Sequence, residues 1–175
     1  RQLEHIAHYD ALTCLPNRVL LADRLQQALA QASRRQTLMA LIYLDLDGFT
    51  PVNDNHGHEV GDALLVALSH RLKETLREGD TLARLGGDEF VVVLTDLTEM
   101  AECERVLARM LTAAALPVQV QDLVLKVSAS LGVTLFPLDD SDADTLLRHA
   151  DQAMYVAKQA GRNRYHVFDV DQDAA

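Results

Sequence analysis

The sequence predicts an α+β domain: a ferredoxin-like core in which a mostly antiparallel central sheet is flanked by helices. Two observations carry this. Segments of helical and strand periodicity follow in the order strand, helix, strand, strand, helix, strand, the order of a split βαβ unit. Two apolar strands are also joined by a glycine tip, "RLGGDEF", which is a hairpin signal. With 175 residues, 49% of them hydrophobic and 24% charged, there is material for one domain with one sizeable core.

The elements can be justified in order. "RQLEHIAHYD" reads as the end of an incoming helix, so residues 1–9 are assigned to a linker cut from a longer protein. "DALTCLPNR" is a turn-rich connection in which Pro16 breaks the chain and Asn17 serves as an N-cap. "VLLADRLQQALAQASRR" has helical periodicity. "LMALIYLDLD" is a strand, apolar until Asp45 and Asp47. "GFTPVNDNHGHEVGD" is expected to be a loop with short helical turns, and "ALLVALSHRLKETLR" a long amphipathic helix. The hairpin spans about Thr81–Leu85 and Phe90–Leu94. A helix over Glu99–Ala115 precedes the short strands "PVQVQ", "LVLKV" and "SASLGVTLF". Ser141 or Asp142 opens a last helix to Ala160, where Gly161 stops it. "RYHVFD" is a final strand, and residues 170–175 are a tail.

The net charge is −10. An acidic chain is a poor binder of polymeric nucleic acid, which needs a basic face, but a bound metal still permits a nucleotide. Cys14 and Cys103 lack metal-ligand spacing, and nothing suggests a disulfide framework, so a reducing cytoplasm is the expected compartment. No apolar run reaches the roughly 18 residues of a membrane span.

Glycine pairs permit a tight hairpin, so "GGDE" alone reads first as a solvated turn with acidic residues at its tip. The second acidic pair changes that weighing. Asp45 and Asp47 share one face of a strand end because side chains alternate with period two. If that strand neighbours the hairpin, Asp45 and Asp88 meet at one end of the sheet, where carboxylates repel unless a cation joins them. Hard oxygen donors without a Cys/His set point to Mg²⁺ or Mn²⁺, ions that sit on nucleotide phosphates and work in pairs.

"RLGGDEF" resembles the GGDEF-domain diguanylate cyclases, and so do four further ordered segments: "DALTCLPNR", "DLDGFTPVNDNHGHEVGD", "SASLGVTLFP" and "ADQAMYVAKQAGRNRYHVF". Together they span Asp10 to Phe168, so the domain is placed at residues 10–169. The resemblance implies a core like the polymerase palm and the class III nucleotide cyclases. It implies condensation of two GTP into cyclic di-GMP with release of pyrophosphate, between two facing copies of the domain in a transient homodimer. Metal carboxylates would be Asp45 and Asp88, with the Leu46 carbonyl as a further ligand and two Mg²⁺ or Mn²⁺ per GTP. Glu89 has two open roles, metal ligand or acceptor of the 3′-hydroxyl proton. Gly86 and Gly87 would let the backbone approach the nucleotide. Asn53 and Asp62 would read guanine, although a turn Asn and a helix-start Asp are common without such a role. Lys158 and Arg162, four apart and expected on one helix face, would contact phosphates; a solvated last turn is the alternative. Arg77 and Asp80 match the RxxD product-inhibition site, where Arg binds guanine and phosphate and Asp addresses guanine edges; the alternative is a helix-ending Arg and a turn Asp. Asp47 is expected to shape the strand end, and His58 to be a turn residue.

Two departures stand out. Thr50 replaces the family's usual lysine and Cys14 its usual glycine. Thr50 and the "LPNR" style are reminiscent of domains fused ahead of EAL phosphodiesterase domains, with a sensor upstream. Some such domains bind GTP or cyclic di-GMP as regulators without turnover, which is the competing functional reading.

Overall fold

The computed structural model describes residues 7–171. The incoming helix expected over Arg1–His8 therefore lies mostly outside the described residues; Ala7 and His8 are helical. The first full helix, α1 (Arg18–Arg35), starts where expected, because the Asn17 side chain accepts from the Val19 and Leu20 N–H groups at 3.0 and 3.2 Å. The strand β1 (Leu38–Asp47) coincides with the expected segment.

Residues 48–62 differ from expectation. They form helix α2 (Phe49–His56) and the start of helix α3 (His58–Glu74), in place of the expected loop with only short helical turns. Gly48 and Gly57, at φ 85° and 88°, supply the turns between elements, and Pro51 falls in the first turn of α2, where its missing N–H costs nothing. These glycines punctuate two helices instead of dissolving them.

The hairpin comprises β2 (Thr81–Gly86) and β3 (Glu89–Leu97), and β3 runs three residues further than expected. Helix α4 (Met100–Ala115) leads into β4 (Val118–Val120) and β5 (Leu123–Leu125), which form a separate two-stranded sheet. Then come β6 (Ser128–Phe136), α5 (Ala143–Gln159) and β7 (Arg164–Val167). Asp142 caps α5, accepting from the Thr145 N–H at 2.9 Å.

The main sheet has the order β2-β3-β1-β6-β7. Every pair is antiparallel except β6–β7, so the core is the expected split βαβ arrangement with one parallel strand added at an edge. The central strand β1 is buried on both faces, which explains its unbroken apolar run. One face, Ala40, Ile42, Leu44 and Leu46, joins the core beneath α3 and α4. The other, Met39, Leu41 and Tyr43, packs on Leu21 and Leu25 of α1 and on Leu146, Ala150 and Met154 of α5. Asp45 and Asp47 continue this second face beyond its apolar part. Helix α5 lies close on the sheet at Gly132, where an added Cβ would overlap the Ala150 carbonyl and the Met154 N–H and come within 2.7 Å of the Ala153 carbonyl carbon. Among the described residues no helix is long and apolar enough to cross a membrane.

Candidate active site at the end of the central strand

The strand register brings the two acidic segments together. Asp45 of β1 lies directly opposite Glu89 of β3. The Leu46 N–H donates to the Asp88 carbonyl at 3.1 Å, tying the hairpin tip to the strand end. The Asp88 carboxyl sits within hydrogen-bonding reach of that of Asp45; burial first, then the Asp45 charge, pushes its pKa up to about 6. Asp45 Oδ1 is buried without a hydrogen-bond partner. Glu89 accepts from the Tyr43 hydroxyl at 3.3 Å, and burial together with Glu89 raises the Tyr43 pKa.

The cation that joins the acidic strand end here is an ammonium. Lys158 Nζ lies 3.1 Å from Asp45 Oδ2 and 3.1 Å from Asp47 Oδ1. Burial works against its charge, but the hydrogen bonds and attraction of Asp45 and Asp47 outweigh burial and raise its pKa. Asp47 shapes the strand end, as expected. It accepts from the hydroxyls of Ser128 and Ser130, both at 2.8 Å, and from the Asn163 N–H at 3.1 Å. These bonds outweigh burial and hold its carboxyl below the ordinary range. Among the described residues no three His, Cys, Asp or Glu side chains close into a metal cage. The donors nevertheless suit a hard divalent cation: an orphaned buried carboxylate oxygen on Asp45, a carboxyl on Asp88 whose charge lacks a full partner, and the Leu46 carbonyl beside them.

Arg162 corrects one expectation. It does not share a helix face with Lys158, because α5 ends at Gln159 and Arg162 stands beyond Gly161 at φ 66°. Its Nε is 3.9 Å from Asp47, so both cations still converge on the strand end. Asn53 and Gly61 pack together between α2 and α3, and Asp62 lies exposed inside α3 rather than at its start. Gly86 and Gly87, at φ 151° and 48°, leave the tip open, with nothing within 4 Å of an added Cβ.

Sequence reasoning missed two members of this neighbourhood. Asp151 lies seven residues before Lys158 on α5, and burial and the Asp45 charge raise its pKa; the 3.6-residue repeat places them on one face. Arg84 is the other. Its Nη1 lies 3.0 Å from both oxygens of Asp10, while Nε and Nη2 donate to the Gly87 carbonyl at 3.1 and 2.9 Å. Its N–H donates to the Pro16 carbonyl. One side chain thus joins the N-terminal turn to the glycine tip. That turn keeps its shape with Cys14 in the left-handed region, at φ 61°.

At the far side of the hairpin, Asp80 commits both carboxylate oxygens to the backbone, accepting from Arg77 N–H at 2.9 Å and Thr95 N–H at 3.2 Å. Its side chain is 2% exposed, against 55% for Arg77. Asp80 thus braces the local backbone, and Arg77 is the more exposed of the pair. A small cavity beside it is lined by Glu102, Arg105 and Arg109 of α4, two further arginines that the RxxD spacing did not reveal.

The family model described as "Diguanylate cyclase, GGDEF domain" matches residues 7–164. The chain belongs to the GGDEF domain family. This GGDEF domain is 42% identical, over 99% of its length, to the bifunctional diguanylate cyclase/cyclic di-GMP phosphodiesterase MucR of Pseudomonas aeruginosa, of which it spans 25%. It resembles the solved GGDEF domain of TpbB from the same species with a TM-score of 0.90 at 36% identity, covering 94% of this chain and 96% of that one. The GGDEF domain of DgcB from Caulobacter crescentus, solved in complex with c-di-GMP, matches with a TM-score of 0.83 at 26% identity over 93% of this chain and 94% of that one. The chain spans only 25% of the length of MucR and 37% of that of TpbB.

Proposed function

We propose that the GGDEF domain is a diguanylate cyclase, condensing two GTP into cyclic di-GMP between two facing copies of the domain. The observation that carries this is the convergence of Asp45, the Leu46 carbonyl, Asp88 and Glu89 at one end of the sheet, beside Lys158. Those four groups would hold Mg²⁺ or Mn²⁺, which neutralises triphosphate charge and polarises the attacked phosphorus. The 3′-oxygen of each GTP bonds to the α-phosphorus of the other, the bond to pyrophosphate breaks, and the hydroxyl proton leaves to solvent or to a carboxylate. Lys158, released from Asp45 and Asp47, would meet a phosphate, as would Arg162. Asn53 and Asp62 would read the guanine, whose edges match an amide and a carboxylate.

Cyclic di-GMP would inhibit by binding Arg77, with Asp80 holding that arginine in place and Arg105 and Arg109 within reach of the product's phosphates. DgcB, solved with c-di-GMP, and MucR, named for both activities, support a domain that handles this nucleotide within a longer protein. The exposed Thr50, where the family usually carries lysine, favours the second reading, a module that binds GTP or cyclic di-GMP to regulate a fused domain.

Chromatography of the purified domain incubated with GTP and Mg²⁺ or Mn²⁺, beside Asp88→Asn, separates the two. Cyclic di-GMP from the wild type alone supports the enzyme. GTP binding without product at high protein concentration supports the regulatory module.

A further inference from the structure

We propose that Gly61 is a positioning residue for base recognition: its missing side chain is the slot that fixes the Asn53 amide. The inference rests on the reading of Asn53 as a guanine contact. Three observations meet here. Gly61 is buried in the first turn of α3, in ordinary helical backbone, so no positive φ requires glycine there. Glycine in a helix costs about 1 kcal/mol relative to alanine, so packing must account for it. A Cβ added at Gly61 would overlap Asn53 Oδ1 outright, stand 2.8 Å from Asn53 Cγ, and press on Phe49 Cζ at 3.3 Å. Finally, Asn53 Oδ1 is buried and has no hydrogen-bond partner.

An amide oxygen shut away from water is also shut away from a ligand, so it is the seated end of the side chain and leaves the amino end to donate to the base. The bare Cα of Gly61 lets the amide lie in that orientation, and any side chain would turn it out. Exchanging the two amide ends leaves the overlap in place, since either terminal atom meets the same Cβ. Base choice is therefore set by a pair, Asn53 making the contact and Gly61 aiming it. Sites built on oriented polar groups discriminate strongly because the wrong base leaves those groups unpaired.

The test is equilibrium binding of non-hydrolysable GTP and ATP analogues, with Mg²⁺, to the wild type, Gly61→Ala, Asn53→Ala and the double variant. The expected result is a GTP-over-ATP preference in the wild type that falls about tenfold in Gly61→Ala. The loss comes from GTP affinity with ATP affinity unchanged, and the double variant is no worse than Asn53→Ala. A wild-type preference that Gly61→Ala retains, or equal losses for both nucleotides, would overturn the role of Gly61 alone. Absence of any wild-type preference would overturn the base-reading assignment beneath it. If Gly61→Ala does not fold, the double variant, which removes the overlapped amide, should restore folding; failure to do so rejects the contact.

Discussion

Asp88→Asn tests the electrostatics of the acidic strand end without touching nucleotide. The Asp88 carboxyl titrates at about 6 in the fold, against 3.8 for a free aspartate. A carboxyl whose pKa is raised by folding stabilises the native state only while protonated. Its cost is absent below about pH 4, grows between about pH 4 and 6, and is constant above. At 1.36 kcal/mol per pH unit of displacement the full cost is roughly 3 kcal/mol. Asp88 is partly exposed and Lys158 offsets part of the repulsion, so the cost is about 1–2 kcal/mol after screening. Asparagine mimics the protonated acid. The metal-free variant should therefore be more stable than the wild type by about 1–2 kcal/mol at pH 7.5, a rise in Tm of roughly 2–8 °C, with the gap closing near pH 4. Urea unfolding with chelator present, from pH 4.5 to 7.5, measures this directly. Millimolar Mn²⁺ should then stabilise the wild type and leave the variant nearly unmoved. A variant that is no more stable at pH 7.5, or a gap independent of pH, would refute the argument that burial and Asp45 load this carboxyl.

Cys14→Gly should stabilise the domain by about 0.5–1 kcal/mol in thermal unfolding, since the left-handed backbone strains any Cβ while glycine adds unfolded-state entropy. Gly132→Ala should cost about 3 kcal/mol or more, read as a lowered denaturant midpoint, because the added methyl collides with the backbone of α5. Asp80→Ala should cost about 1–2 kcal/mol by removing the acceptor of two backbone N–H groups, and Arg77→Ala less than half as much. Arg84→Ala should cost about 1–3 kcal/mol, and Arg84→Lys should recover less than half of it, because an ammonium cannot reach Asp10 and the Gly87 carbonyl together.

Much of the fold was legible because the signals are local. The apolar run of β1, the Asn17 and Asp142 caps and the glycine tip each act within a few residues. The acidic strand end was legible because period two put Asp45 and Asp47 on one face; that the hairpin pairs beside them was a condition that the β1–β3 register meets. The 48–62 segment misled because glycines at 48 and 57 look like loop composition, while each serves as a boundary between short helices. Arg162 misled for a related reason: spacing of four implies a shared face only if the helix continues, and Gly161 ends it. Arg84 and Asp151 were invisible because their partners, Asp10 and Asp45, are distant in sequence and arrive only through packing. The motif position of Asp80 carried no information about how deeply its carboxylate is buried or that it accepts from two backbone N–H groups.

The Arg84 guanidinium gives the hairpin tip a second anchorage besides its tie to Leu46. Fixed from two directions, the tip behaves as a joint under constraint instead of a free end. Any rearrangement that moves the Asp10 turn relative to the sheet must either break a forked ion pair or carry the Gly87 carbonyl with it. The N-terminal turn and the acidic strand end are thus mechanically in series, and a small tilt at one is delivered to the other through a single side chain.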